Sequence, residues 1–127
     1  MIIQALRESS DNNVLAFLKD VEKMKRLTTE ERQYYLANRE KAGAVSILVK
    51  DFIPYIIKVA YVHSQKTSTL SVLDLINEGI VGAYAAFEKC DSHGKKMVNT
   101  VRVYINRYIS QLVEKNRHCS WSKLLFN

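Results

Sequence analysis

Residues that build tight turns are scarce in this sequence, whose 127 positions include one proline and four glycines. β-Sandwiches and barrels connect many short strands through turns rich in these residues, so their scarcity disfavours such folds and favours helices. Only two cysteines are present, Cys90 and Cys119, which is too few for a disulfide framework. We therefore expect a compact, all-α, multi-helix fold that does not depend on disulfides.

Long apolar runs and a secretory leader are also missing. No apolar stretch approaches the roughly 18 residues that a membrane span needs. Residues 1–13 do not contain the basic segment, apolar segment and cleavage site of a secretory signal in that order. These absences predict that the protein has no membrane partner and, with the low cysteine content, that it resides in a reducing cytoplasm.

The composition that is present suits one globular domain. Hydrophobic residues make up 47% of the chain and charged residues 25%, a balance that argues against disorder. The net charge of +6 is concentrated in residues 91–127, which carry seven basic and two acidic side chains, whereas residues 1–90 are nearly neutral. Such a basic end favours a site for a polyanion, although a solvated basic face would carry the same charge.

Helical periodicity covers most of the chain. The predicted helices span residues 11–25, 28–41, 44–61, 72–89 and 97–116. Thr28 with Glu31 fits a capping box at the start of the second helix, and Ser71 with Asp74 gives an N-cap signal for the fourth. Pro54 should kink or divide the apolar third helix.

The predicted helix over 72–89 has two unlike sides. Its broad apolar side, which suits a core, consists of Leu73, Ile76, Ile80, Ala83, Tyr84 and Phe87. A second stripe is polar in its first half and apolar in its second, and it contains Asp74, Asn77, Glu78, Val81 and Ala85. That mixture favours a protein-docking surface. The plainer alternative is that Asp74 only favours the helix N-terminus and that Glu78 is solvated.

The last predicted helix is also two-sided. Its core side consists of Val98, Val101, Ile105, Ile109 and Leu112. Its polar side consists of Lys96, Asn99, Thr100, Val103, Arg107, Ser110, Gln111 and Glu114, flanked by Tyr104 and Asn106. Cations, amides, hydroxyls and rings contact phosphates, base edges and unpaired bases, so this side is a candidate nucleic-acid surface. A solvated amphipathic face is the alternative.

One segment resembles a known family. The run from Leu73 to Gly82, LDLINEGIVG, followed by AFEK at residues 86–89, resembles region 2.2 of the bacterial sigma-70 family, whose core reads DLI[QN]EGxxG. Upstream, Leu27 to Glu31 resembles the LTxEE start of the second part of region 1.2, and residues 44–62 resemble region 2.1.

The order of these segments extends the resemblance over nearly the whole chain. Residues 94–105 lie where regions 2.3 and 2.4 would be. The similarity to sigma-70 regions 1.2 to 2.4 covers residues 13–117, which leaves residues 1–12 as an N-terminal extension and residues 118–127 as a C-terminal tail unlike the family. The Asn that the family places after Glu-Gly is Ile80 here.

The resemblance implies a sigma-like domain that binds RNA polymerase core. In the family, the region 2.2 helix docks on the coiled-coil clamp helices of the largest core subunit, which supply arginines that pair with carboxylates. Carried over residue by residue, the polymerase-binding candidates are Asp74, Asn77, Glu78 and Val81. The resemblance also suggests an anti-sigma factor as a partner.

The resemblance further implies promoter DNA as a partner. The family's next helix recognises and opens the −10 element by holding flipped bases of the non-template strand and stacking a ring at the upstream edge of the bubble. The DNA-binding candidates are Lys95, Lys96, Asn99, Thr100, Arg102, Val103, Tyr104, Arg107, Ser110 and Gln111. Among them, Arg107 and Ser110 match positions that contact upstream −10 bases.

Several aromatic positions of the family are altered. Housekeeping members carry a run like FSTYAxWWI where this chain has residues 97–105. Met97, Thr100 and Val103 replace the Phe, the Tyr and the first Trp, so that only Tyr104 keeps a ring. Because stacking contributes about 1–3 kcal/mol per base, strand opening should be weak unless a partner compensates.

Two other functions are compatible with the sequence. The chain could occupy the clamp-helix site as a competitor or regulator that does not open promoters, or it could be a basic helical DNA binder that acts without polymerase. Cys90, His93, His118 and Cys119 lack the usual spacing of zinc ligands, so we expect no metal or other cofactor. No nucleotide-binding or nucleophile motif appears, and we expect no enzyme activity.

Overall fold

The computed structural model describes the backbone of residues 12–90 and 96–126 and the side chains of residues 12–90 and 96–117. Within these ranges the chain forms six helices and no strand, which confirms the prediction of a compact all-α, multi-helix fold. The helices are α1 (Asn12–Glu22), α2 (Thr29–Ala37), α3 (Ala44–Asp51), α4 (Ile53–Ser64), α5 (Val72–Lys89) and α6 (Met97–Phe126).

Two capping boxes set helix starts where the sequence predicts them. The Thr28 hydroxyl accepts a hydrogen bond from the Glu31 N–H at 3.1 Å, and the Glu31 carboxylate accepts one from the Thr28 N–H at 3.1 Å. Ser71 and Asp74 repeat this arrangement at the start of α5, at 3.1 and 2.9 Å. Each box pairs amides that a helix N-terminus otherwise leaves without partners.

The apolar third helix is divided, as Pro54 predicts. α3 ends at Asp51, Phe52 forms the joint, and α4 begins at Ile53. Pro54 therefore lies in the first turn of α4, where its missing N–H removes no intrahelical hydrogen bond.

The predicted end of the second helix near Lys41 is wrong, because α2 stops at Ala37. Both the backbone N–H and the side-chain amide of Asn38 donate to the Tyr34 carbonyl, which closes the helix at that point. Gly43 then adopts a φ of 83° directly before α3. That left-handed conformation suits glycine, which has no Cβ to clash.

Two glycines allow α5 to lie close to its neighbours. α5 packs against α6 more extensively than any other pair of helices in the described residues, and it also contacts α3 and α4. A Cβ on Gly79 would lie 2.7 Å from Ile56 Cγ2, and one on Gly82 would lie 2.9 Å from the Tyr104 carbonyl oxygen. The two glycines of the EGxxG run therefore have a packing role, since larger residues would push the helices apart.

The core stripe of α6 differs from the predicted one at both ends. The buried residues that form it are Met97, Val101, Ile105, Ile109 and Val113. Val98 and Leu112, which were predicted for the core, are half-buried beside it. The observed stripe follows a row of residues four apart, which is one of the ridges by which helices pack.

α6 also extends beyond its predicted end at Asn116. The helix continues through Phe126, so residues 118–126, which show no clear period, are helical. The side chains of this tail, including Trp121, lie outside the described residues. Among the described residues, no helix combines the length and apolar character that crossing a membrane requires.

A buried carboxylate joins the first part of the chain to α3. The Asp51 side chain is only 2% exposed, and its oxygens accept hydrogen bonds from Arg26 Nε at 3.2 Å and Arg32 Nε at 3.0 Å. The Leu27 N–H donates to the same carboxylate at 3.0 Å. Burial alone would raise the pKa of Asp51, but these hydrogen bonds outweigh it and hold the pKa below its ordinary value of 3.8. The link between α1 and α2 is thus fixed to α3 by a charged group.

Candidate functional site

The predicted docking stripe lies on the outside of α5, and we call Asp74, Asn77, Glu78 and Val81 the α5 face. Asp74, Asn77 and Val81 are exposed, with Val81 at 52%, while Glu78 is half-buried. All four therefore remain accessible on one side of the helix. The exposed valine gives this otherwise polar stripe an apolar group that a protein partner would cover on docking.

Tyr84 extends the α5 face and corrects a prediction. The sequence places this ring on the core side, but the structure leaves it 39% exposed, one turn beyond Val81. The core side is rotated relative to the prediction, because the buried residues of α5 are Leu75, Ile76, Gly79, Gly82, Ala83, Ala86 and Phe87, while Leu73 and Ile80 are half-buried. Tyr84 lies seven residues after Asn77 and therefore on the same side of the helix as the α5 face. Tyrosine is enriched at protein interfaces, so its exposure here adds an apolar group to the α5 face.

Asp74 has a second role at the start of α5. One of its carboxylate oxygens accepts the Ser71 N–H at 2.9 Å, and its own N–H donates to the Ser71 hydroxyl at 3.1 Å. The simpler interpretation of Asp74 as a residue that favours the helix N-terminus is therefore confirmed. It does not conflict with a second role in docking. The cap holds the carboxylate in a fixed position at the exposed end of the α5 face.

An open groove runs along α6 and α4 on another side of the molecule. Five predicted DNA-binding residues line it: Asn99, Arg102, Val103, Arg107 and Ser110. Three further residues complete the α6 groove: Tyr55, His63 and Asn106. The groove is wide and shallow, with a volume of about 820 Å³, which suits a polymer strand better than an enclosed small molecule.

Tyr55 fixes the middle of the α6 groove. The Asn106 amide donates to the Tyr55 hydroxyl at 2.6 Å and to the Arg102 carbonyl at 2.8 Å. The Arg102 guanidinium lies over the Tyr55 ring, 5.0 Å from its centroid. A ring, an amide and a cation are thus held together, which is the set of groups that nucleic-acid surfaces use.

A second aromatic–cation group lies beside the α6 groove. The Arg107 guanidinium is 5.7 Å from the centroid of the Tyr104 ring, and Tyr104 stacks on Tyr108 with centroids 6.4 Å apart. Tyr104 is half-buried. Arg107 and Tyr104 therefore form a cation–ring pair at the side of the groove.

Three other predicted DNA-binding residues are described and do not line the α6 groove. Lys96 and Gln111 are exposed, whereas Thr100 is half-buried, and none of the three lines the groove. Lys95 lies outside the described residues. A single helix presents residues over a wide arc, and the groove collects only those on the side facing α4.

His63 is a titratable group in the α6 groove that the sequence did not indicate. Burial lowers the pKa of His63 from its ordinary 6.5, and the nearby charge of Lys66 lowers it further. The imidazole is therefore mainly neutral at pH 7 in the free protein. A phosphate beside it would favour the charged form, so anion binding should raise this pKa.

Three of the four residues of the zinc hypothesis, His93, His118 and Cys119, lie outside the described side chains. Cys90 is buried, and its sulfur accepts a hydrogen bond from Arg39 at 3.2 Å. Within the described part of the chain, no three His, Cys, Asp or Glu side chains come together as metal ligands would.

Comparison of the sequence with protein-family models and with curated proteins gave no match. The similarity to the sigma-70 family therefore rests on the residues of the LDLINEGIVG run and on the order of the segments around it.

Proposed function

We propose that this protein is a sigma-like domain that binds RNA polymerase core through the α5 face and single-stranded −10 promoter DNA through α6. The observation that carries the proposal is the arrangement of the LDLINEGIVG run on α5. Its polar residues Asp74 and Asn77 lie outward, and its glycines Gly79 and Gly82 lie inward against neighbouring helices. Val81, which is 52% exposed at the C-terminal end of this polar stripe, supplies an apolar group that docking of a protein partner would bury.

Charge supports the assignment of the two partners to two different surfaces. The α5 face presents the carboxylates of Asp74 and Glu78, which are the groups that arginines of a clamp coiled coil would pair with. The α6 groove presents the cations of Arg102 and Arg107 beside the Tyr55 ring, a combination that attracts and orders a nucleic-acid strand. One molecule can therefore contact polymerase and DNA at the same time.

A second function is favoured by one specific observation, the valine at position 103. Val103 is 50% exposed in the α6 groove at the position where the family has a tryptophan. A domain that only occupies the clamp-helix site, as a competitor or regulator, has no need of that ring. A basic DNA binder that acts without polymerase is the third possibility, and it would leave the α5 face unused.

Affinity capture with purified core polymerase, followed by binding of a −10 promoter oligonucleotide with and without core, separates these functions. A sigma-like domain binds core and binds the non-template strand more tightly in its presence. A competitor binds core, displaces a housekeeping sigma factor and adds no DNA binding. A free DNA binder shows equal DNA affinity in both conditions and no capture by core.

A further inference from the structure

A cavity of about 210 Å³ lies between the α1–α2 link and helices α3 and α4, outside both surfaces described above. Its apolar walls come from Val21, Met24, Leu27, Ile47 and Pro54. Its volume is smaller than the roughly 300–1,000 Å³ of most small-molecule sites. The cavity therefore suits a single anchoring side chain better than a cofactor.

The edge of this cavity is positively charged. Lys25, Arg26 and Lys50 line it and are all exposed. Among the residues that line the cavity, the acidic one is Asp51. Its buried carboxylate already accepts hydrogen bonds from Arg26 and Arg32. The two lysines therefore present charge that Asp51 does not engage directly.

The walls favour a peptide over a nucleic acid. None of the residues that line the cavity is aromatic, so the walls offer no ring on which a base could stack. Met24 is half-buried at one wall, and its flexible thioether can adapt to anchors of different shape, as methionines do on peptide-binding surfaces. Apolar walls with a cationic edge match an aliphatic side chain flanked by carboxylates.

We propose that this cavity is the docking site for an acidic partner segment, which inserts a leucine-like side chain between Met24 and Ile47 and pairs its carboxylates with Lys25 and Lys50. The site lies apart from the α5 face and from the α6 groove. The proposal does not rest on the assignment of polymerase and DNA as partners.

The test uses the full chain and a fluorescent synthetic peptide in which leucines are flanked by glutamates. Binding is followed by anisotropy, and the site is located by amide chemical shifts. We expect saturable binding, with the largest shifts at Val21 to Leu27 and at Ile47 to Ile53. Replacing the leucines by serine, or the glutamates by lysine, should each weaken binding by about tenfold or more.

Charge reversal at the edge provides the matched control. Lys50→Glu should weaken binding of the acidic peptide by about fivefold or more, because it removes one cation and adds a like charge. Lys115→Glu makes the same change at an exposed position of α6, a helix that contributes no residue to the cavity, and should leave binding within about twofold of the parent chain. Ile47→Gln tests the wall without altering the charge and should also weaken binding.

Four results would overturn the proposal. The first is no saturable binding. The second is an equal loss of peptide affinity in Lys50→Glu and Lys115→Glu. The third is a set of shifts centred on the α6 groove. Either of these would indicate unspecific attraction of an acidic peptide to a basic protein. The fourth is that a single-stranded oligonucleotide or a second copy of the chain produces the same shifts at the cavity, which would assign it to another occupant.

Discussion

A Cβ atom on Gly82 would lie 2.9 Å from the carbonyl oxygen of Tyr104. This approach fixes the distance between α5, which carries the proposed polymerase-binding residues, and α6, which carries the proposed DNA-binding residues. Tyr108 Cβ lies 3.0 Å from the same point, so both a backbone atom and a side chain close the space. The helices that carry the two surfaces are thus in direct contact at Gly82.

The first prediction concerns this contact. Gly82→Ala should lower the free energy of unfolding by about 1 kcal/mol, because overpacking of about 1–3 kcal/mol exceeds the gain of about 1 kcal/mol that alanine brings to a helix. Urea unfolding measures the change. A more stable variant would mean that α5 and α6 separate without cost.

Gly43→Ala is the control for that prediction. Nothing lies within 4 Å of a Cβ at this position, but its φ of 83° disfavours any side chain. We expect a loss of about 1–2 kcal/mol from backbone strain alone. The environments of Tyr104 and Tyr108 should stay unchanged in this variant and shift in Gly82→Ala, which amide and ring chemical shifts would detect.

The second prediction concerns the buried Asp51 carboxylate. Asp51→Asn should lower the free energy of unfolding at pH 7 by about 2–3 kcal/mol, because Arg26 and Arg32 lose a charged acceptor. The folded protein holds the pKa of Asp51 below its ordinary 3.8, so the carboxylate stabilises the fold above that pH. This stabilisation is lost as the pH falls through the folded pKa.

Urea unfolding of both proteins between pH 3 and pH 7 tests the sign of this effect. The difference between parent chain and Asp51→Asn should be constant near neutral pH and should shrink as the pH falls below 3.8. A difference that grows with acid would show that Asp51 is held in its protonated form, contrary to the hydrogen bonds observed.

The third prediction concerns the charge of the α6 groove. Arg107→Ala should weaken binding of a single-stranded −10 oligonucleotide and lower the log–log salt slope by about 1, since one fewer cation releases counterions from the phosphates. Anisotropy titrations at several salt concentrations give both values. An unchanged salt slope would show that Arg107 does not contact a phosphate.

The fourth prediction concerns the missing ring at position 103. Val103→Trp should strengthen oligonucleotide binding by up to about 1–3 kcal/mol, because it supplies a stacking surface in the α6 groove. Val81→Trp places the same ring on the α5 face, where the parent valine is equally exposed, and should not alter DNA binding. Equal effects of both substitutions would indicate unspecific attraction of DNA to any exposed ring.

Local signals in the sequence predict the helices well. The capping boxes at Thr28 and Ser71 mark helix starts that the structure reproduces, since capping depends only on residues within one turn. Pro54 likewise marks the division of the apolar segment. The helix ends are harder to predict, because Asn38 closes α2 through a hydrogen bond to Tyr34 that periodicity does not reveal.

The composition of the candidate surfaces depends on packing and could be predicted only in part. The outward position of Asp74, Asn77 and Val81 follows from helical spacing. Tyr55 joins the α6 groove through Asn106, which lies 51 positions away in the sequence, and no local pattern links the two. No local pattern predicts the burial of Asp51 either. Its partners Arg26 and Arg32 lie 25 and 19 positions away, in the α1–α2 link and in α2.

The central claim is that the α5 face binds RNA polymerase core, and the affinity of the Glu78→Lys variant for purified core tests it most directly. Glu40→Lys, which makes the same change at an exposed turn outside the face, is the control. We predict that Glu78→Lys weakens core binding at least about tenfold while the variant still unfolds in a single cooperative transition, and that Glu40→Lys binds as the parent chain does. Unaltered core binding by Glu78→Lys, or no core binding by the parent chain, would contradict the account.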